Sequence, residues 1–162
     1  MRQLRNSGKV MLVVAMAAFG VVAAPANGTP ASGFTAAQQW KGTYAPIDIK
    51  LKGSLDLKID SKDNADVYVT RNSIAAGGQS GWHTHPGPSL VTVTVGEVTV
   101  YDDLLCTPTL YHTGDTFIDH GDGHVHLVRN ESAASAETVA VQFIPEGAVR
   151  RIDAPQPNNC NF

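Results

Sequence analysis

The sequence has little of what several common classes of active site require. Two cysteines occur among its 162 residues, and they do not form a CxxC pair. The GxSxG elbow of α/β-hydrolases and the GxxxxGK(S/T) loop of P-loop nucleotide-binding proteins are both absent. No amphipathic helical pattern follows Trp40. Short alternations of apolar and polar residues remain, and they indicate an all-β chain.

The first 26 residues have the pattern of a secretory signal peptide. The segment opens with three basic residues, Arg2, Arg5 and Lys9. An apolar run over 10–24 follows, and Ala24-Pro25-Ala26 provides a small-x-small cleavage site. The alternative is a membrane anchor, but the run is shorter than the roughly 20 residues that a spanning helix needs. We therefore predict bacterial export, to the periplasm or the medium.

The charge of the remaining chain disfavours two classes of partner. Residues 1–26 hold three of the 12 Lys and Arg and none of the 15 Asp and Glu, so their removal leaves a net charge of −6. The rest of the chain has no cluster of Lys or Arg. We therefore expect neither nucleic acid nor, after cleavage, a membrane surface as a partner. A small-molecule ligand or substrate is expected instead.

Cys106 and Cys160 are predicted to form a disulfide, because an exported protein folds in an oxidising compartment. The bond would close a loop of about 55 residues, for which chain entropy allows a stabilisation of about 4 kcal/mol. It would attach the Pro-rich tail to the body of the protein. A redox-active or metal-binding thiol pair is the weaker alternative, since neither cysteine neighbours a histidine.

Period-two alternation predicts about eight short strands. They lie in IDIKLKG, SLDLKID, VYVTRNSI, VTVTV, EVTVY, TLYHTGDTFID, HVHLVRN and TVAVQFIP. Turn signals rich in Gly, Pro and Asp separate them, as in a β-sandwich or barrel. We place an N-terminal leader at 27–46, with a short helix over Thr35–Trp40. The single barrel domain follows at 47–146, and a C-terminal tail at 147–162.

Two His-x-His pairs are the strongest chemical signal in the chain. His83 and His85 form the first pair, and His124 and His126 form the second. Residues two apart on a strand point to the same face. Imidazole is a ligand of zinc, nickel, copper and ferrous iron. Two pairs on separate strands can therefore converge on one ion.

The faces that carry the histidines become apolar farther along each strand. If His85 points inward, Val91 and Val93 do so as well, and from His126 the same parity sends Val128 inward. The histidines are thus expected at the mouth of a dry barrel. Such a position suits a metal, because an apolar shell controls solvent access.

These residues resemble the two motifs of the cupin superfamily over roughly residues 50–145. The first motif is matched by Gly77, His83, His85, Ser89 and Gly96, and the second by Gly114, Gly123, His126 and Asn130. Two departures occur. Ser89 stands where the motif has a glutamate, and His120 stands near the position of the motif proline, with one extra residue before Gly123.

The resemblance implies a double-stranded β-helix (jelly roll) and a divalent transition metal: Fe, Mn, Ni, Cu or Zn. His83, His85 and His126 would hold the ion, and His124 is a further candidate. The three-histidine set resembles that of some cupin dioxygenases, which implies an oxidoreductase. A non-catalytic module that binds a small molecule is the alternative, and a structural domain with vestigial histidines is a third. Cupins also pair through their sheets, which implies a homodimer.

Four further residues are expected to line the pocket: Ser89, Trp82, Arg71 and Phe143. Arg71 shares its parity with Val67 and Val69, and pointing inward it would bind a carboxylate. An exposed position is the alternative for Arg71, and ordinary packing is the alternative for Trp82.

Overall fold

The computed structural model describes residues 28–160, and all the regular secondary structure within that range is β-strand. The strands are β1 (Ser32–Tyr44), β2 (Asp48–Leu51), β3 (Leu57–Asp60), β4 (Ala65–Gln79), β5 (His83–Thr84), β6 (Ser89–Val95), β7 (Glu97–Asp102), β8 (Pro108–His112), β9 (Thr116–Asp119), β10 (His126–Arg129), β11 (Ala136–Pro145) and β12 (Ile152–Asp153). Each segment that the alternation pattern selected overlaps one or two of these strands, whereas β1, β5 and β12 were not predicted. The predicted strands are therefore confirmed.

Ten strands form one antiparallel sheet that folds into two faces of five strands. The first face has the order β1-β4-β11-β6-β9, and the second has the order β8-β7-β10-β5-β12. The faces join where Arg129 of β10 pairs with Gln79 of β4. β2 and β3 form a separate hairpin. Two antiparallel faces folded on each other form a jelly roll, so the predicted all-β barrel is confirmed.

The helix predicted over Thr35–Trp40 is wrong. These residues belong to β1, which pairs with β4 along most of its length, for example Thr35 with Ser73 and Lys41 with Tyr68. A six-residue helix makes too few hydrogen bonds to offset its nucleation. The exposed edge of β4 instead provides partners for the backbone groups of β1. The domain boundaries drawn at 46 and 146 stay predictions.

Two hydrophobic clusters lie on opposite sides of β10. The inner cluster fills one end of the barrel and consists of Ile74, Val93, Val98, Val128 and Ala136. The outer cluster lies beneath the C-terminal tail and consists of Trp82, Tyr101, Leu127, Ala154 and Cys160. Successive side chains of a strand point to opposite faces. Leu127 and Val128 therefore enter different clusters.

The predicted disulfide between Cys106 and Cys160 is confirmed, with a Cα–Cα distance of 5.5 Å. Beside it, the side-chain amide of Asn159 donates hydrogen bonds to the carbonyl oxygens of Asp103 and Leu104. The tail is thus held against the second face. A disulfide is typical of an oxidising compartment. The predicted signal peptide at 1–26 lies outside the described residues, and within 28–160 no helix could cross a membrane.

Candidate metal centre

Three buried histidines converge at the end of the barrel opposite the inner hydrophobic cluster. His126 of β10 is directly opposite His83 of β5, and His85 is the first residue after β5. One ring nitrogen from each histidine lies within 4.8 Å of the other two. Two nitrogens bound to one ion at about 2.1 Å can be at most about 4.2 Å apart. Small rotations of the rings would therefore bring all three nitrogens to a common ion.

Main-chain carbonyl groups orient two of the rings. Nδ1 of His83 lies 2.8 Å from the carbonyl oxygen of Gly81, and Nδ1 of His85 lies 2.6 Å from that of Arg150. A nitrogen that donates to a carbonyl carries the proton, so Nε2 keeps a free lone pair. Such contacts commonly orient metal-binding histidines.

Burial keeps these imidazoles neutral at pH 7. Loss of solvation lowers the pKa of all three histidines, in the case of His126 to about 4. For His83 the neighbouring His126 lowers the pKa further, because two adjacent positive charges would repel each other. Metal binding requires neutral imidazole. The site is therefore in the form that accepts a cation.

Asp119 supplies a carboxylate at this end of the barrel, where this chain lacks the glutamate of the motif. It is the last residue of β9 and is directly opposite Ser89, the residue at the position of the motif glutamate. Its Oδ2 lies 3.8 Å from Nε2 of His85, and its Oδ1 lies 3.5 Å from Nδ1 of His126. The carboxylate thus comes from the neighbouring strand.

Close backbone contacts position the loop that follows Asp119. Gly121 has a φ of 66°, and a Cβ atom there would lie 2.3 Å from the carbonyl oxygen of Gly87. The N–H of Asp122 donates to the carbonyl oxygen of His85 at 2.8 Å. Only glycine fits the contact between these loops at residue 121. The contact places Asp119 beside His85.

The site contains buried polar atoms that form no hydrogen bond. Among the described residues these atoms are Oδ2 of Asp119 and Nδ1 of both His124 and His126. A buried carboxylate oxygen without a partner costs free energy. A bound cation would remove that cost, so the donor set fits a divalent metal. The nitrogen of half-buried His124 also lies within 4.8 Å of donor atoms on Asp119 and His126.

A cavity of about 80 Å³ adjoins the histidines inside the barrel. Ser89 lines it, as predicted, and the Oγ of Ser89 accepts a hydrogen bond from Nε2 of Gln142 at 3.0 Å. Its other polar lining residues include Thr70, Asn72, Thr138 and Arg150. The cavity thus has room for a few atoms next to the proposed ion.

The other three residues expected in the pocket lie outside this cavity. Arg71 is on the outer face and pairs with Glu137, since Thr70 and Asn72 occupy the inward positions of β4. Trp82 is buried in the outer hydrophobic cluster. Phe143 lines a separate groove beside the β2–β3 hairpin, because its neighbour Gln142 points inward.

Sequence reasoning missed several polar groups of this end of the barrel, among them Asp119, Gln142 and Arg150. The alternation in β9 carried a signal for the first, since Phe117 and Asp119 share the inward parity while Ile118 is exposed. Gln142 shares its parity with Ala140 in the same way. Arg150 lies after the last long strand, where no periodicity indicates a direction.

A scan against protein-family models and a search of curated proteins each found no match. Among solved structures, an oxalate oxidase in complex with the substrate analogue glycolate is 25% identical, with a TM-score of 0.43. The alignment covers 47% of this chain and 41% of that chain, so this chain spans less than half the length of the oxalate oxidase.

Two shorter structures align over more of their length. A double-stranded β-helix protein from Klebsiella pneumoniae is 23% identical, with a TM-score of 0.45, over 68% of this chain and 84% of that chain. A cupin superfamily protein from Desulfitobacterium hafniense is 13% identical, with a TM-score of 0.44, over 66% of this chain and 80% of that chain. The antiparallel two-faced barrel, with both histidine motifs at one end, gives this chain a cupin-type fold.

Proposed function

We propose that this protein binds one divalent transition-metal ion through His83, His85 and His126, with Asp119 as a fourth ligand. The observation that carries the proposal is the convergence of three buried, neutral imidazoles within 4.8 Å. Asp119 adds a negative charge at the same point. Three nitrogen donors and one oxygen donor suit Fe, Mn, Ni, Cu or Zn.

A purely structural role explains these histidines less well. Buried polar groups in a structural core are normally hydrogen-bonded within the protein. Here Nδ1 of His126 and Oδ2 of Asp119 are buried without a partner. A cation would satisfy such groups together, and this favours a metal site over vestigial histidines.

We further propose a dioxygenase-like oxidoreductase. A bound ferrous ion would supply redox chemistry toward oxygen and a small organic substrate. The chain would contribute the ligand geometry and a small cavity with apolar walls at Val91, Phe117 and Ala140. Ser89 and Gln142 would orient the substrate through hydrogen bonds. The cavity has room for a few non-hydrogen atoms of the substrate.

A non-catalytic binding module is the second candidate function. The polar lining of the cavity favours it, since Asn72 donates to the hydroxyl of Thr138 at 3.0 Å and both residues face the cavity. Such groups can hold a small molecule whether or not a metal is present. Pairing of two copies through their sheets stays a prediction.

The protein is also proposed to be exported to the periplasm or the medium. The charged and apolar pattern of residues 1–26 supports this. The disulfide between Cys106 and Cys160 is consistent with an oxidising compartment.

Metal analysis of the purified protein tests the metal centre. After incubation with each of the five divalent ions and removal of excess, we expect one ion per chain in the wild type. His83→Ala and His126→Ala should contain none. His112→Ala is the matched control, because the exposed His112 faces Glu97 far from the cavity. A wild type that retains none of the five ions contradicts the proposal.

Oxygen uptake separates the enzyme from the binding module. The iron-loaded protein is supplied with a panel of small thiols and diketones while dissolved oxygen is recorded. Consumption that is lost in His126→Ala supports the oxidoreductase. Saturable binding of a panel member without consumption supports the binding module.

A further inference from the structure

Arg150 lies in the wall of the cavity beside the proposed metal centre. Its Nη1 donates to Oε1 of Gln142 at 3.3 Å, and its guanidinium carbon lies 5.5 Å from the centre of the Tyr68 ring. The side chain is half-buried. The guanidinium group therefore forms part of the cavity and is not an ordinary surface charge.

Hydrogen bonds hold both the main chain and the side chain of Arg150 in position relative to the metal centre. Its carbonyl oxygen lies 2.6 Å from Nδ1 of His85. Its side chain contacts Gln142, which in turn donates to Ser89 at 3.0 Å. The guanidinium group thus has a defined position relative to a proposed ligand, which favours recognition of a specific group.

Arg150 also differs from the other arginines of the described range. Arg71 pairs with Glu137, Arg129 with Glu131, and Arg151 with Asp153. Within residues 28–160, no carboxylate oxygen forms such an ion pair with Arg150. A half-buried guanidinium group in a cavity wall, without an ion-pair partner in the described range, favours the binding of an anion.

The size of the cavity restricts that anion. A volume of about 80 Å³ corresponds to roughly six water-sized spheres of 10–15 Å³ each. A guanidinium group presents parallel N–H donors that match the two oxygens of a carboxylate. An organic acid of two or three carbons fits this volume and presents a carboxylate to the guanidinium group.

We propose that Arg150 binds the carboxylate of a small organic acid whose other end faces the metal centre. This rests on the proposed function, because the metal centre defines the second end of the site. It names the substrate class, an acid of two or three carbons. It also assigns to Arg150 the binding of a carboxylate, which the sequence suggested for Arg71.

The test is calorimetric titration of the full-length, zinc-loaded protein, since zinc has no redox chemistry. Acetate is the anionic probe, and acetamide is a neutral probe of the same shape. We expect the acetate-to-acetamide affinity ratio to fall at least tenfold in Arg150→Gln. Arg71→Gln is the matched control and should keep the wild-type ratio. Arg150→Lys should recover part of the preference, because it keeps the charge but loses the paired donors.

The outcomes separate this inference from the metal centre. If Arg150→Gln retains one zinc per chain and the wild-type ratio, Arg150 is not the carboxylate site, although the metal centre stands. If Arg71→Gln lowers the ratio equally, the effect is a general one of charge, and the inference fails. Tighter binding of inorganic phosphate than of acetate would overturn the carboxylate class. A wild type that retains none of the five ions, zinc included, would overturn both proposals.

Discussion

The two ends of the barrel interior are built from the same strands but carry opposite kinds of side chain. Along β6 the inward residues change from Ser89 to Val93, and along β10 they change from His126 to Val128. β4 and β11 show the same change, from Thr70 to Ile74 and from Gln142 to Ala136. One end is a packed aliphatic core, and the other is a cavity with titratable groups.

The difference shows how a small barrel combines a stable core with a buried polar site. Close-packed aliphatic side chains supply most of the favourable free energy of folding. Buried imidazoles and carboxylates oppose folding unless a partner satisfies them. The aliphatic end can therefore hold the strands in register while the polar end has no bound ligand. The predictions below change one end at a time.

The largest effect on folding is expected from Ile74→Ala in the aliphatic end. Ile74 is 1% exposed within the inner cluster, so the cavity left behind should cost about 2–5 kcal/mol of unfolding free energy. Urea denaturation measures this, and the metal content should stay at one ion per chain. Leu90→Ala is the control, because Leu90 is 48% exposed on the outer side of β6 and should change stability little. Equal losses of unfolding free energy in Ile74→Ala and Leu90→Ala would contradict the view that the aliphatic end stabilises the fold.

The polar end should contribute stability only when a metal is bound. A ligand at 100 times its Kd stabilises the folded state by about 2.7 kcal/mol. We expect this increment on adding metal to the wild type and to Ile74→Ala, and its absence in His83→Ala. Thermal denaturation with and without the ion measures it. An increment that survives His83→Ala would show that the ion binds elsewhere.

Asp119→Asn should weaken metal binding by about 10- to 100-fold, since it removes the one negative charge among the proposed ligands while keeping the side-chain shape. Competition with a chelator measures the affinity. Ser89→Ala should leave the affinity nearly unchanged, because the Ser89 hydroxyl hydrogen-bonds to Gln142. A larger loss of metal affinity in Ser89→Ala than in Asp119→Asn would show that Ser89, and not Asp119, provides the oxygen ligand.

The smallest effect is expected from Asp66, a buried residue near the open end of β4 that pairs with Lys41 at 2.8 Å. Hydrogen bonds from Lys41, Thr43 and the N–H of Gly147 lower the pKa of Asp66 to about 2. A lowered folded-state pKa stabilises the fold above the ordinary pKa of 3.8. That contribution is lost as the pH falls through about 2.

Acid denaturation of Asp66→Asn checks this expectation. The wild type should exceed the variant in stability by a constant amount above about pH 4, and the difference should shrink between pH 4 and pH 2. A difference that shrinks between pH 8 and pH 6 would assign the effect to another group.

Local alternation made the strands and the histidine faces predictable. A strand has a period of two whatever it pairs with, so His83 and His85 were expected on one face before any partner was known. The two motifs also placed His126 at the same end of the barrel. The same period left the direction of Arg71 open, because its apolar parity mates Val67 and Val69 could face either side; they lie with it on the outer side, and Thr70 and Asn72 point inward.

By itself, the sequence determined the all-β character, the disulfide partners and the histidines that meet. These follow from periodicity and from having two cysteines and two His-x-His pairs in the chain. Only the tertiary structure decided that the carboxylate of Asp119 lies opposite Ser89 and that Arg150 lines the cavity. The reason is that cross-strand register and the path of the chain after β11 depend on the packing of distant segments, which no local pattern records.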